Sequence, residues 1–133
     1  MEATLSQNIS SDLMVNGLTF GRGAGNESTN IAIGSTALRV NSSGNWNTAT
    51  GYQALYDNTT GALNTANGLN ALFRNTTGIW NTAIGVQALV TNTIGEKNTS
   101  TGVNSLYYNT SGSNNSAYGI QAMQSNTIGS NNT

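Results

Sequence analysis

Residues 81–97 read NTAIGVQALVTNTIGEK, and residues 64–80, NTANGLNALFRNTTGIW, repeat the phrase with the same punctuation. Setting the chain in rows of seventeen puts Asn30, Asn47, Asn64, Asn81, Asn98 and Asn115 in one column, with Asn132 opening a seventh row. Four residues later stand Gly34, Gly51, Gly68, Gly85, Gly102 and Gly119. A second pair of columns holds Asn41, Asn58, Asn75, Asn92, Asn109 and Asn126, then Gly44, Gly61, Gly78, Gly95, Gly112 and Gly129. Between them run Leu38, Leu55, Leu72, Leu89, Leu106 and Met123, each preceded by a small residue: Ala37, Ala54, Ala71, Ala88, Ser105 and Ala122. Ala32, Ala49, Ala66, Ala83, Ser100 and Ala117 form another small column. Six units thus fill 30–131 without insertion or deletion, each reading N-T-A-x-G-x-x-A-L-x-x-N-T-x-G-x-x. A disordered low-complexity tract has no reason to keep Leu and Gly in phase through every copy.

Residue chemistry chooses strand over helix. Each glycine costs a helix ~1 kcal/mol relative to alanine, and Asn, Ser and Thr compete for its backbone hydrogen bonds. Short, partly alternating segments such as Tyr52-Gln53-Ala54-Leu55-Tyr56 suit brief strands bounded by turns. The expectation is an all-β chain, a parallel β-solenoid or β-roll of six 17-residue coils. Equivalent residues of successive coils would then stack about 4.8 Å apart, the spacing between paired strands. Each Asn column becomes a ladder in which side-chain amides bond to the Asn above and below. The glycines fall where the chain turns with positive φ or passes close to another backbone. The Leu column, with its Ala neighbours, forms a thin dry interior, and each buried Leu contributes ~1.5–3 kcal/mol. Ordering the backbone costs ~1–2 kcal/mol per residue, so a lone column looks under-supported. Further burial is expected from neighbouring chains, with Tyr52, Leu69, Val86, Val103 and Ile120 as the candidate contact; alternatively these residues complete the chain's own core.

Composition narrows the function. Of 133 residues 36% are apolar and 7% charged, with four basic side chains and a net charge of -1. That leaves no electrostatic footprint for nucleic acid or an anionic membrane. Cysteine and proline are both absent. The opening MEATLSQNISSDLMV has neither the basic nor the apolar region of a secretion signal, and no run reaches the roughly 20 apolar residues of a membrane helix. We divide the chain into 1–29, a leader, cap or connector; 30–131, the repeats; and 132–133, the start of a further repeat.

The phrase N-T-A-I-G-x-x-A-L at 81–89 resembles the N-S-x-A-I-G repeats in the heads of trimeric autotransporter adhesins. The 17-residue form with N-T-T-G, at 58–61 and 75–78, is still more similar to repeats in bacteriophage tail-fibre and other fibre proteins. The segment VNGLTFGRGAGNESTN at 15–30 is similar to the leader of such arrays. The resemblance spans 13–133 and implies an intertwined or bundled homotrimer on a virion or extracellular surface appendage. It implies a shaft that positions a receptor-binding tip, with a cell-surface glycan or receptor as partner. The unit is longer than the adhesin repeat, and no anchor or chaperone domain follows Asn132-Thr133. The expectation is therefore a piece of a longer fibre, or a subunit whose open end a partner covers.

Catalytic, cofactor and metal sites are not expected. There is no histidine, and Glu2, Asp12, Glu27, Asp57 and Glu96 do not recur in register. The abundant hydroxyls have no evident base to activate them. Asparagine stands where calcium-binding rolls carry aspartate, and neutral amides make a weak calcium cage. The GRGAG stretch at 21–25 lacks the spacing of a phosphate loop and suits a flexible turn into the array. Sequons such as Asn58-Thr59-Thr60 follow automatically from the repeat. Trp46, Trp80, Tyr56, Phe73, Tyr107 and Tyr108 suit either glycan faces or inter-chain grooves, the grooves being favoured. Two alternatives accompany the fibre shaft. One is a filament of subunits stacked end to end. The other is an ice-binding solenoid using the files Thr48, Thr65, Thr82, Thr99 and Thr59, Thr76, Thr93, Thr110, Thr127.

Overall fold

The computed structural model describes residues 12–133. Residues 1–11 of the proposed leader lie outside the described residues. The described residues open with a hairpin of β1 (Leu13–Val15) and β2 (Leu18–Gly21), joined by Asn16-Gly17. Both turn residues have positive φ, 49° and 80°, as a tight two-residue hairpin turn requires. A 3-10 turn (Ala24–Asn26) leads to β3 (Ile31–Ile33). Five equivalent strands follow: β4 (Thr48–Thr50), β5 (Thr65–Asn67), β6 (Thr82–Ile84), β7 (Thr99–Thr101) and β8 (Ser116–Tyr118). All eight strands form one sheet in chain order. The pairings β1·β2 and β2·β3 are antiparallel, and every later pairing is parallel in an unbroken seventeen-residue register, such as Ala49↔Ala66 and Ala66↔Ala83.

The molecule is an all-β parallel β-solenoid with 17 residues per turn. The six sequence repeats supply six rungs, β3 to β8, and these bound five intervals, so the rod has about five turns. Inter-coil hydrogen bonding continues beyond the strands. Leu55 N donates to Ala71 O (3.0 Å), Asp57 N to Phe73 O (3.0 Å) and Leu63 N to Asn45 O (3.1 Å).

The core is the expected file of Leu38, Leu55, Leu72, Leu89 and Leu106 with the two Ala columns, while Met123 is half-buried against its end. One expectation is corrected. Residues 52–56 form no strand; the strand of that coil lies at Thr48–Thr50, and the chain winds through 52–56 with Gln53 at φ 56° and Leu55 at φ 50°. A strand sends consecutive side chains to opposite faces. Ala54 and Leu55 are adjacent and both fully buried, which needs a backbone that reverses between them. The left-handed conformation at Leu55 supplies the reversal, and Leu38, Leu72, Leu89, Leu106 and Met123 share it.

The Gly-rich segment is also more fixed than a flexible turn. Asp12 accepts hydrogen bonds from Arg22 N (2.7 Å) and Gly23 N (2.9 Å), and Ala24 N donates to Leu38 O (3.0 Å). A Cβ on Gly23 would lie 2.8 Å from that carbonyl oxygen, so only glycine lets this segment settle over the first coil. The hairpin and the 3-10 turn together cap the solenoid.

Candidate functional site

The two Asn columns are buried rather than set at exposed corners, and they perform different tasks. In the second, each amide nitrogen donates to the oxygen of the Asn one coil earlier: Asn58 to Asn41 (2.9 Å), Asn75 to Asn58 (2.8 Å), Asn92 to Asn75 (2.9 Å) and Asn109 to Asn92 (2.9 Å). In the first, the side-chain oxygen accepts from the backbone of the next Asn, as in Asn64 N to Asn47 Oδ1 (3.1 Å). From Asn81 onward the side-chain nitrogen joins in, Asn98 Nδ2 reaching Asn81 Oδ1 at 3.1 Å.

The second nitrogen hydrogen of each column meets a shared acceptor. Gly61 O accepts from Asn47 Nδ2 (2.8 Å) and Asn58 Nδ2 (2.9 Å), so one carbonyl ties both ladders across the coil. Gly78, Gly95 and Gly112 do the same in their coils. Any residue has such a carbonyl; what holds glycine in the second Gly column is the crowding around it. A Cβ on Gly61 would fall 2.6 Å from Gly78 O and 2.7 Å from Asn75 Nδ2. The first Gly column adds a backbone reason: Gly51 sits at φ 129°, with Gly68 O 2.6 Å from where its Cβ would be. The sequence identified both glycine columns but not the shared carbonyl, because spacing does not reveal which backbone acceptor an amide will find.

Outward columns vary, and they carry any recognition chemistry. Tyr52, Leu69, Val86, Val103 and Ile120 are all exposed, so they do not complete the chain's own core. They make an apolar file through five successive coils, with Ser35 at the equivalent place in the first. Of the flagged aromatics, Tyr56, Phe73 and Tyr107 are half-buried, the Tyr56 and Phe73 rings stacked with centroids 5.2 Å apart. Trp46, Trp80 and Tyr108 are exposed, and the Lys97 ammonium lies 5.3 Å from the centroid of the Trp80 ring.

The threonine files differ. Thr59 Oγ1, Thr76 Oγ1 and Thr93 Oγ1 each donate to the backbone oxygen of the Thr one coil on, at 3.0 Å. Those hydroxyls stitch coils together. Thr48, Thr65, Thr82 and Thr99 lie at the outward starts of their strands.

Buried sequons are unavailable to any modifying enzyme: Asn41, Asn58, Asn75, Asn98 and Asn109 all lie within the ladders. Among the described residues no three acidic side chains gather into a metal-binding group, and no helix is long and apolar enough to cross a membrane. Set beside known proteins, the chain matches no family model, no curated protein and no solved structure.

Proposed function

We propose that the chain is a shaft segment of a phage tail fibre or similar extracellular appendage, self-associated along its length as a homotrimer and holding a receptor-binding tip away from its base. The exposed apolar file Tyr52, Leu69, Val86, Val103 and Ile120 carries this reading. Monomers rarely expose large continuous apolar patches, and a stripe running through five successive coils is matched in pitch by a second copy of itself. The uniform cross-section supports a mechanical role, since each added coil lengthens the rod without altering its faces.

The end-to-end filament draws less support. It needs both ends of the rod open, whereas β2 pairs along the outer edge of β3. Ice binding draws support only from the strand-borne threonines, because the other file spends its hydroxyls on backbone carbonyls.

Sedimentation equilibrium across a dilution series tests the proposal. The expected mass is that of three chains, falling to one when Val86 and Val103 are both replaced by lysine. A wild-type chain that stays monomeric at all concentrations would falsify the shaft as described.

A further inference from the structure

The repeats serve as an internal comparison set, because each column meets the same backbone environment in every coil. The column of Trp46 reads Trp46, Leu63, Trp80, Lys97, Asn114 and Asn131, and every member has a left-handed φ between 52° and 60°. Asparagine is among the non-glycine residues that tolerate this conformation best. The later coils therefore show what the fold accepts at this position, and it is polar. Yet the earlier coils place two indoles here, 58% and 50% exposed. The solenoid does not require these rings.

From this confined aromatic patch we infer that Trp46, Leu63 and Trp80, with the adjacent Thr48, Thr65 and Thr82, bind an extended uncharged β-linked glycan lying along the rod. The patch covers three coils and then gives way to Lys97, whereas the Tyr52 file continues to Ile120. A second copy packed lengthwise would need apolar residues in every coil; a ligand of a few sugar units needs only a short patch. The two tryptophans are two coils apart, about 9.6 Å at the spacing of paired strands. Alternate sugars of an extended β-1,4-linked chain present the same face at closely similar intervals, so each indole meets an equivalent sugar. Flat aromatic surfaces suit the C–H faces of pyranose rings, and hydroxyl groups suit their equatorial oxygens. Thr48, Thr65 and Thr82 begin the strands of the same coils, and their hydroxyls, unlike those of the Thr59 file, donate to no carbonyl among the described residues. None of the six residues is charged, which matches a neutral glycan, and the Lys97 ammonium, 5.3 Å from the Trp80 ring centroid, lies over one face of that indole, so a sugar there takes the other face.

This goes beyond the shaft role and does not depend on self-association, since a monomer presents the same patch. The chain has two tryptophans, both in it, so intrinsic emission reports on this site alone. Titration with cellohexaose should give a saturable blue shift, with affinity at least about tenfold tighter than for cellobiose. Trp46→Asn, read through Trp80, should weaken binding about tenfold or more without changing the melting temperature, because Asn114 and Asn131 already occupy the equivalent conformation. No emission change at millimolar hexaose, or equal affinity for the two sugars, overturns the proposal. So does a blue shift on concentrating the protein without sugar, which would mean that a second copy covers the patch. The mass of the assembly, taken on the same samples, keeps the tests apart: a monomer that binds hexaose sinks the trimer and leaves the glycan site standing.

Discussion

The Asn75 side chain illustrates how much one residue in this rod controls. Its nitrogen donates to Asn58 Oδ1 and Gly78 O, and its oxygen accepts from Asn92 Nδ2. Asn75→Ala removes all three bonds and leaves Asn58 Oδ1 and one Asn92 Nδ2 hydrogen unpaired in the interior, each costing ~1–3 kcal/mol, while Gly78 O keeps its bond from Asn64 Nδ2. Urea unfolding should show a loss of several kcal/mol, and clearly less for Asn126→Ala, whose amide is part-exposed and donates to Asn109 and Gly129. A second prediction concerns the coil in which both Ala columns carry serine. The Ser100 hydroxyl donates either to Ser105 O (2.9 Å) or to Ser105 Oγ, and the Ser105 hydroxyl either to Gly102 O (3.1 Å) or to Ser100 Oγ, so two protons serve three contacts. Each single Ser→Ala change should destabilise, whereas the double change restores the pattern of the other coils and should cost less than the sum, a coupling that a double-mutant cycle measures. The two exceptions were visible in one row of the sequence. That they face each other across the core was not, because spacing along the chain says nothing about which columns meet until the turns between them are known.

At the scale of elements, the sequence revealed the period and the strand type but misplaced the strand. Thr48-Ala49-Thr50 and Tyr52-Gln53-Ala54-Leu55-Tyr56 both alternate, and polarity alone does not separate them. The difference lies in adjacent buried residues at 54 and 55, which a strand cannot accommodate and a left-handed leucine can. Such leucines carry a local backbone cost of ~1–2 kcal/mol each, which their complete burial offsets. The cap gives a further prediction. Asp12 secures the 3-10 turn over the first coil through two backbone amides, so Asp12→Ala should release that turn while later coils hold. Hydrogen exchange should quicken at Ala24 and stay unchanged at Leu72 and Leu89. Uniform acceleration along the rod would mean that the cap and coils unfold as one unit.

For the whole molecule, exact phase is what the repeat protects. Excising residues 64–80 removes one coil and joins matching columns, so circular dichroism should report a shorter but native solenoid with a modestly lower melting temperature. Excising 64–79 instead shifts every later residue by one position. Asn would then meet Thr, Gly would meet a residue with a Cβ, and the fold beyond the junction should fail. The amide ladders also have a direction. In the second column, and in the first from Asn81 onward, the nitrogen points toward the preceding coil and the oxygen toward the following one, as in Asn92 to Asn75 and Asn98 to Asn81. Group dipoles so aligned add along the axis and polarise their neighbours. Most backbone amides between coils run the other way, as in Leu55 N to Ala71 O and Thr59 N to Thr76 O, so the side-chain ladders offset part of the polarity that the main chain builds along the rod.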